Sequence, residues 1–227
     1  KIINFLDEIC SKTVEDWIKS SYRQLANYTN AYAQKMDMAR EVIADKGIWT
    51  AKKRYILNVH DSEGVRYTEP KLKMMGIEAV KSSTPSACRD KIKEALRIIM
   101  TENQETLIQF VNDFKKEFKT LPPEEISFPR SINGLSKYTS SFELIKKGTP
   151  IHVRGAILYN DLLKKNDLIN RYPSIQEGEK IKFMYLKEPN TLQNNIISFA
   201  SSFPKEFKLE KYIDYDLQFE KSFIDPL

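Results

Sequence analysis

The sequence predicts an α+β protein: helices with an antiparallel sheet, followed by a mainly helical portion that has a small β part. Apolar residues recur at helical spacing near the N-terminus and again after about residue 84, and β-rich segments separated by polar turns lie between these regions. With 41% hydrophobic residues, the 227-residue chain has enough apolar surface to bury a core. Since its apolar runs are short of the ~18 residues of a membrane helix, we expect a soluble protein.

Residues 2–34 are predicted to be helical. Their apolar side chains recur at spacings of three, four and seven, at Val14, Trp17, Ile18, Leu25, Tyr28 and Tyr32. A stripe of this kind usually packs against the rest of a protein, so we expect it to be buried. Thr13 followed by Asp16 predicts a helix N-cap within this segment.

An antiparallel meander is predicted after the helical segment. Residues 35–44 and 49–59 are strand-like, and Asp45-Lys46-Gly47 predicts a turn between them. A second turn over residues 60–64 leads into a strand that begins at residue 65. Helices before such a meander would cover one face of its sheet, as is typical of α+β proteins.

The second half of the chain is predicted to be mainly helical. Thr84 as N-cap with Pro85 at the first helical position predicts a helix start, and Thr101 predicts the cap of a second helix. The apolar stripes expected to pack in these two helices are Cys88, Ile92, Ala95, Leu96 and Ile99, and Leu107, Ile108, Val111, Phe114 and Phe118. Further elements are predicted as a strand near 126–128, a helix over 152–164, a strand over 179–186 and a helix near 210–223.

Cysteine and histidine are too sparse for a zinc finger or a disulfide framework. The chain has Cys10, Cys88, His60 and His152, all far apart in sequence. This usage favours a reduced intracellular compartment. Neither histidine has a partner at informative spacing beyond Asp61, which adjoins His60.

The excess positive charge is confined to one quarter of the chain. Residues 46–97 contain 12 Lys and Arg and only 6 Asp and Glu. The remaining residues contain 24 Lys and Arg and 25 Asp and Glu, so the whole positive excess behind the net charge of +5 lies in residues 46–97. Clustered Lys and Arg are typical of surfaces that bind phosphate backbones. An ordinary solvated face is an equally good explanation of the charge by itself.

Lys52-Lys53-Arg54-Tyr55 is the most informative basic cluster. On a strand, Lys52 and Arg54 would project to one side, and Lys53 and Tyr55 to the other. One side could then contact phosphates while a lysine on the other reaches into a groove.

The context of this cluster supplies a resemblance to a known family. KKRY at residue 52, the stretch NV-D-EG-RY-EPKLK-MG up to residue 76, and KSSTP at residue 81 follow in this order. Together they resemble the palm-to-thumb junction of family B DNA polymerases, especially those of T4-like bacteriophages. The resemblance implies that residues 1–78 are the C-terminal part of a polymerase palm and residues 79–227 the thumb.

The same resemblance implies a set of DNA contacts to primer-template duplex. Lysines matching Lys53 and Lys81 reach the minor groove near the primer terminus, where acceptors of all base pairs occupy similar positions. The DNA-binding residues implied are Lys52, Lys53, Arg54, Tyr55, Lys81, Ser82, Ser83 and Thr84. The resemblance also implies that Glu41 is an accessory carboxylate of the catalytic centre. The equally good alternative is that Glu41 is an ordinary strand acid paired with Arg40 or Lys53.

The sequence lacks the motifs SLYPS, NSLYG and DTDS, which hold the metal-binding aspartates and the nucleotide-binding lysine of that family. We therefore expect a piece of a longer polymerase that is inactive alone. Mg²⁺, dNTP and a sliding clamp would be engaged only by the intact protein, in the cytoplasm of a phage-infected bacterial cell.

Two alternatives differ in class. The chain could be a non-enzymatic nucleic-acid-binding module that shares the palm-thumb segment. It could also be a metal-dependent nuclease built on Asp214 and Asp216, the one tight Asp-x-Asp pair. The second is disfavoured because residues two apart on a helix point in different directions.

Overall fold

The computed structural model describes residues 1–77, 81–139 and 144–227, and the chain divides into two compact units, Lys1–Gly76 and Ile77–Leu227. Helices accompany two small antiparallel sheets, so the predicted α+β class is confirmed. The palm-thumb boundary predicted after residue 78 falls outside the described residues. Palm and thumb stay predictions for what these two units are.

The N-terminal helical segment is exposed rather than buried. Helix α1 (Ile2–Ile9) and helix α2 (Glu15–Tyr28) are joined by a π-helical turn, Cys10–Val14. None of these residues, all of which the structure describes, is buried, and Trp17 is 70% exposed. The prediction of a packed stripe is therefore wrong for this chain. The N-cap predicted at Thr13 is also wrong, because helical hydrogen bonding continues through that position.

The predicted meander is confirmed with different strand limits. Strands β1 (Val42–Ala51), β2 (Arg54–Ser62) and β3 (Val65–Met75) pair antiparallel in that order. The turn expected at residues 45–47 is wrong, since Lys46 and Gly47 lie inside β1 opposite Asn58 and Leu57. Asn58 Nδ2 donates to Asp45 Oδ1 at 2.7 Å, so a polar cross-strand pair continues the strand where the sequence suggested a break.

The second unit combines helices with a three-stranded sheet of order β4-β5-β6. Its elements are α3 (Ser86–Thr101), α4 (Gln104–Phe118), α5 (Pro123–Ile126), β4 (Phe128–Ser131), α6 (Ile151–Lys165), β5 (Lys180–Tyr185), β6 (Ile196–Phe199) and α7 (Tyr215–Phe219). Short 3₁₀ segments and a π-helical turn, Glu220–Ile224, complete the described part. The predicted helix over 152–164 and strand over 179–186 are confirmed, whereas the sequence did not predict β6. The strand expected at 126–128 begins only at Phe128, after α5.

Two predicted helix caps are displaced by one or two residues. Helix α3 begins at Ser86 with Pro85 as its N-cap, one residue later than predicted. Thr101 ends α3 instead of capping α4, and Asn103 supplies the cap by accepting a hydrogen bond from Thr106 N at 2.9 Å. Asparagine is at least as favourable an N-cap as threonine, which explains why Asn103 can take the place predicted for Thr101.

Aromatic packing holds the second unit together. Phe114 and Phe118 from α4 meet Phe219 and Phe223, with ring centroids 4.8–5.8 Å apart. The packed face of α4 is narrower than predicted, since Ile108 is 52% exposed. In α3 the buried face includes Ile98, whereas Ile99, the predicted member, is exposed.

Candidate nucleic-acid interface

Only the first half of the KKRY cluster forms a hairpin turn, and Arg54 and Tyr55 begin strand β2. Lys52 and Lys53 connect β1 to β2, and the register places Ala51 opposite Arg54 across the turn. The prediction that Lys52 and Arg54 share one side of a strand is therefore wrong, because strand alternation does not apply to turn residues. The turn instead exposes Lys52, Lys53 and Arg54 together at the end of the hairpin.

Lys53 has a left-handed backbone, with φ of 63°. A non-glycine residue in this region costs roughly 1–2 kcal/mol, and such strain is often retained at functional positions. Gly76 lies against the same turn, where an added Cβ would be 2.6 Å from the Lys53 carbonyl oxygen. The close approach of Gly76 thus leaves room for the Lys53 backbone and ties the end of β3 to the KKRY turn.

Replacing Lys53 by glycine should separate stability from binding. We expect Lys53→Gly to raise the free energy of unfolding of the Lys1–Gly76 unit by roughly 0.5–1 kcal/mol, because glycine adopts this φ without steric cost. The same variant should bind duplex DNA more weakly, because it loses an ammonium group. Urea unfolding followed by hydrogen exchange of β2 amides measures the first effect, and fluorescence anisotropy of a labelled duplex measures the second.

Glu63→Gly is the matched control, since Glu63 has φ of 51° in the β2–β3 turn of the same sheet. It should stabilise the unit similarly without weakening DNA binding. A Lys53→Gly variant that is less stable than the parent, or that binds DNA equally well, would contradict the assignment of strain and function to this residue.

The KSSTP segment forms a second turn, directly before α3. Thr84 N donates to Lys81 O at 3.3 Å, and Thr84 is buried while Ser82 is exposed and Ser83 half-exposed. Ser86 Oγ donates to Glu125 O at 3.4 Å, which fixes the start of α3 against α5. The two serines are therefore the hydroxyls that this turn presents to solvent, whereas Thr84 contributes to packing.

Glu41 is paired, but with neither partner predicted from the sequence. It lies just before β1, and its carboxylate accepts a hydrogen bond from Lys73 Nζ on β3. This hydrogen bond raises the pKa of Lys73 more than partial burial lowers it. The alternative pairing with Arg40 or Lys53 is wrong, because the sheet places Lys73 beside Glu41 while Arg40 is engaged elsewhere.

Arg40 belongs to an ion network around the buried Asp61. Arg40 Nη1 lies 2.7 Å from Asp61 Oδ1, as an ion pair outside hydrogen-bond geometry, and Arg66 Nε donates to Asp61 Oδ2 at 3.0 Å. Arg40 Nη2 also donates to Asp7 Oδ1 at 2.7 Å, which ties α1 to the sheet. The network fixes the residue next to Glu41 and therefore the start of β1.

Asp214, Asp216 and His60, the remaining candidates from the sequence, each have a structural partner. Asp214 caps α7 by accepting from Leu217 N at 3.1 Å, and Asp216 forms ion pairs with Lys115 and Lys119. His60 Nε2 lies 3.3 Å from Asp45 Oδ1, a partner that the sequence did not suggest, since it is on the neighbouring strand. No signal short of the strand register could have identified that pair.

The described residues contain no cluster of three or more His, Cys, Asp or Glu side chains that could hold a metal ion. Asp214, Asp216 and Glu41 are each occupied by the interactions above. The donor set of residues 1–77, 81–139 and 144–227 therefore does not fit a two-metal catalytic centre. Within the same ranges, no helix combines the length and apolar composition required to cross a bilayer.

By sequence comparison, the chain is similar to proteins of the DNA polymerase class. The chain is 32% identical to the DNA-directed DNA polymerase of Enterobacteria phage T4 over 243 aligned residues, which cover 100% of this chain. It is 38% identical to the DNA-directed DNA polymerase of Escherichia phage RB69 over 239 aligned residues, which cover 99% of this chain. The resemblance to T4-like phage DNA polymerases is thus confirmed.

The chain spans 26% of the length of each of these two relatives. No protein-family model matches it. The similarity is therefore to a segment of these polymerases.

Proposed function

We propose that the chain is the palm-thumb portion of a family B DNA-directed DNA polymerase and that it binds the primer-template duplex during primer extension from dNTPs. Similarity to the T4 and RB69 polymerases over essentially the whole chain is the observation that carries the proposal. Residues 1–78 would belong to the palm and 79–227 to the thumb. The exposed basic hairpin and the serine turn are consistent with contacts to a polyanion.

Each turn has its own part in the proposed binding. Lys53 and Lys81 would donate to minor-groove acceptors, and Lys52 and Arg54 would pair with primer phosphates, with Tyr55 supporting the same turn. Ser82 and Ser83 would donate hydroxyl hydrogen bonds to the DNA backbone. Thr84 would act by holding the turn in shape from its buried position. Contacts of this kind check duplex geometry without reading sequence.

The chemistry of primer extension would depend on groups beyond the 227 residues. Because the described donors do not fit a two-metal centre, we propose that Mg²⁺ is held by aspartates elsewhere in the intact polymerase. Glu41 would adjoin that centre as an accessory carboxylate, with its charge balanced by Lys73. Binding of dNTP and of a sliding clamp would likewise require the intact protein.

Duplex binding by the 227-residue chain tests the proposal. We expect salt-dependent binding of a labelled primer-template in fluorescence anisotropy, weakened about tenfold or more when Lys53→Ala is combined with Lys81→Ala, since a hydrogen bond to a charged group contributes roughly 1.5–3 kcal/mol. The control combines Lys187→Ala with Lys211→Ala, which removes two exposed lysines of the second unit. Binding that is undetectable, independent of salt, or equal in the two double variants would refute the proposed function.

A further inference from the structure

Helices α1 and α2 present one apolar stripe to solvent. The α1–α2 stripe consists of Ile2, Phe5, Leu6, Ile9, Val14 and Trp17, each of which is at least 38% exposed. Except for the step from Ile9 to Val14, neighbouring members follow the spacing of one face of a helix. The stripe therefore has the composition and the spacing of a packing face, although it is exposed.

A π-helical turn keeps the stripe continuous between the two helices. Ile9 and Val14 are five residues apart, a step that in an α-helix would carry the stripe about 140° around the axis. The turn Cys10–Val14 covers this step, and Glu15 N donates to Cys10 O, five residues back. Since a π turn holds more residues than an α turn, it reduces this rotation and returns Val14 towards the side of Ile9. The stripe is thus one surface rather than two.

Polar contacts hold the opposite side of these helices on the sheet. Arg66 Nη1 donates to Asn4 Oδ1 at 2.8 Å. Arg40 Nη2 donates to Asp7 Oδ1 at 2.7 Å, and Arg40 N donates to Glu15 Oε1 at 2.9 Å. Asn4, Asp7 and Glu15 share a helix face that lies opposite the α1–α2 stripe. The sheet of the same unit therefore leaves the stripe uncovered.

The exposed apolar surface is larger than a monomer usually leaves in water. At the exposed fractions of its members, the α1–α2 stripe presents on the order of 700 Å², whereas the largest patch of a typical monomer is about 300–600 Å². In addition, α2 has 14 residues, none of them buried. A helix of this length is only marginally stable without a packed face. Both observations indicate that a partner covers the stripe.

The charges around the stripe disfavour two kinds of partner. Residues 1–17 contain two lysines and four acids, Asp7, Glu8, Glu15 and Asp16. Anionic lipid and phosphate backbones are both attracted by an excess of Lys and Arg, which this segment lacks. A membrane surface and a nucleic acid are therefore poor occupants of the stripe.

The same charges suit a second copy of the chain. One flank of the stripe carries Glu8, Lys12 and Asp16 at steps of four, and Lys12 Nζ lies 2.7 Å from Glu8 Oε1. In a two-fold pair each contact occurs twice, with residue i of one copy facing residue j of the other. A flank that alternates in sign can then place a lysine of each copy near an acid of the other.

We propose that the α1–α2 stripe pairs with the same stripe of a second copy, as an antiparallel two-fold dimer centred beside Thr13. Because Ile9 and Trp17 are equally far from Thr13, this arrangement sets Trp17 of one copy against Ile9 of the other, and Lys12 near Asp16. The area on each copy is close to the roughly 800 Å² per partner that a stable interface of standard size buries. The inference goes beyond the proposed function and involves no DNA, so either can fail without the other.

Sedimentation velocity of the 227-residue chain tests the dimer. We expect a monomer–dimer equilibrium with a dissociation constant in the micromolar range or tighter, since interfaces of this size span micromolar to picomolar affinities. Trp17→Lys should raise that constant about 30-fold or more, because it places a charge at a central tryptophan anchor. Trp49→Lys is the matched control, since Trp49 is 69% exposed and Trp17 70%. It should leave the constant unchanged, and far-UV circular dichroism checks that both variants keep the helix content of the parent.

Tryptophan fluorescence gives a second measurement with the stripe intact. The chain has two tryptophans, so Trp49→Phe leaves Trp17 as the only indole. Its emission should shift to shorter wavelength over the concentration range in which the dimer forms, because pairing removes the ring from water.

Four outcomes would overturn the inference. A chain that stays monomeric at its highest soluble concentration would leave the stripe to another segment of the intact polymerase. A dimer that responds equally to Trp17→Lys and Trp49→Lys, or in which the emission of Trp17 is unshifted, would place the interface elsewhere. Vesicles of phosphatidylcholine and phosphatidylglycerol should not bind the chain, and binding that Trp17→Lys abolishes would assign the stripe to a membrane surface.

Discussion

Asp61→Asn should lower the free energy of unfolding of the Lys1–Gly76 unit by about 3 kcal/mol. Asp61 is only 1% exposed and faces both Arg40 and Arg66. Removing one partner of a buried ion pair typically costs 3–5 kcal/mol, because the other charge is left buried. We expect the low end of this range, since Arg40 keeps its pairing with Asp7. Hydrogen exchange of β2 amides across a urea series measures the change.

Asp37→Asn provides the control, because Asp37 is an exposed acid of the same unit. It should change the unfolding free energy by less than about 0.5 kcal/mol. Equal effects of the two substitutions would show that the network around Asp61 contributes nothing beyond a surface charge.

The stability lost in Asp61→Asn should depend on pH in a defined way. Burial by itself would raise the pKa of Asp61, but the ion pair with Arg40 and the hydrogen bonds from Arg66 and from Gly64 N outweigh it, so the pKa is lowered from its ordinary 3.8. A lowered pKa gives stability that is fully present above about pH 4 and is lost as pH falls through the folded-state value. The difference between the parent chain and Asp61→Asn should therefore be constant at neutral pH and shrink below about pH 4. A difference that grows on acidification would contradict this linkage.

Phe118→Ala should destabilise the Ile77–Leu227 unit by about 4 kcal/mol. The Phe118 ring is fully buried and packs edge-on against Phe114, Phe219 and Tyr215. Truncating a buried phenylalanine loses its burial and leaves a cavity, at a cost of roughly 3–5 kcal/mol. Urea unfolding followed by hydrogen exchange of β5 amides measures the loss.

Ile108→Ala on the same helix distinguishes packing from helix propensity. The sequence places Ile108 and Phe118 on one apolar stripe, but Ile108 is 52% exposed. Its truncation should cost less than about 1 kcal/mol, and alanine partly compensates by favouring helix. A cost for Ile108→Ala close to that of Phe118→Ala would mean that α4 packs through the wider stripe that the sequence suggests.

Local patterns were sufficient where one element determines its own structure. Periodicity of 3.6 predicts most of α3 and α4, and alternation predicts β5, because each pattern reports which face of one element is apolar. The polar segment at residues 60–64 likewise predicts the β2–β3 turn, which the structure confines to Glu63 and Gly64, with residues 60–62 in β2. The resemblance carried by KKRY and KSSTP, which the T4 and RB69 relatives confirm, also required only the order and spacing of residues.

Patterns failed where two segments compete or cooperate. Asp45-Lys46-Gly47 has the composition of a turn, yet its pairing with β2 makes it strand, and the turn moves to Lys52 and Lys53. The apolar stripe of α2 predicts burial, yet no residue of α2 is buried. An amphipathic pattern shows only that one face of a helix is able to pack, and it does not show what that face packs against.

By itself, the sequence determined the α+β class, the concentration of positive charge and the family resemblance, since these depend on composition and local order. Only the tertiary structure decided that Lys53 lies in a strained turn against Gly76 and that Asp61 balances Arg40 and Arg66. The reason is that strand register and helix packing join residues far apart in the chain, and those contacts leave no local trace in the sequence.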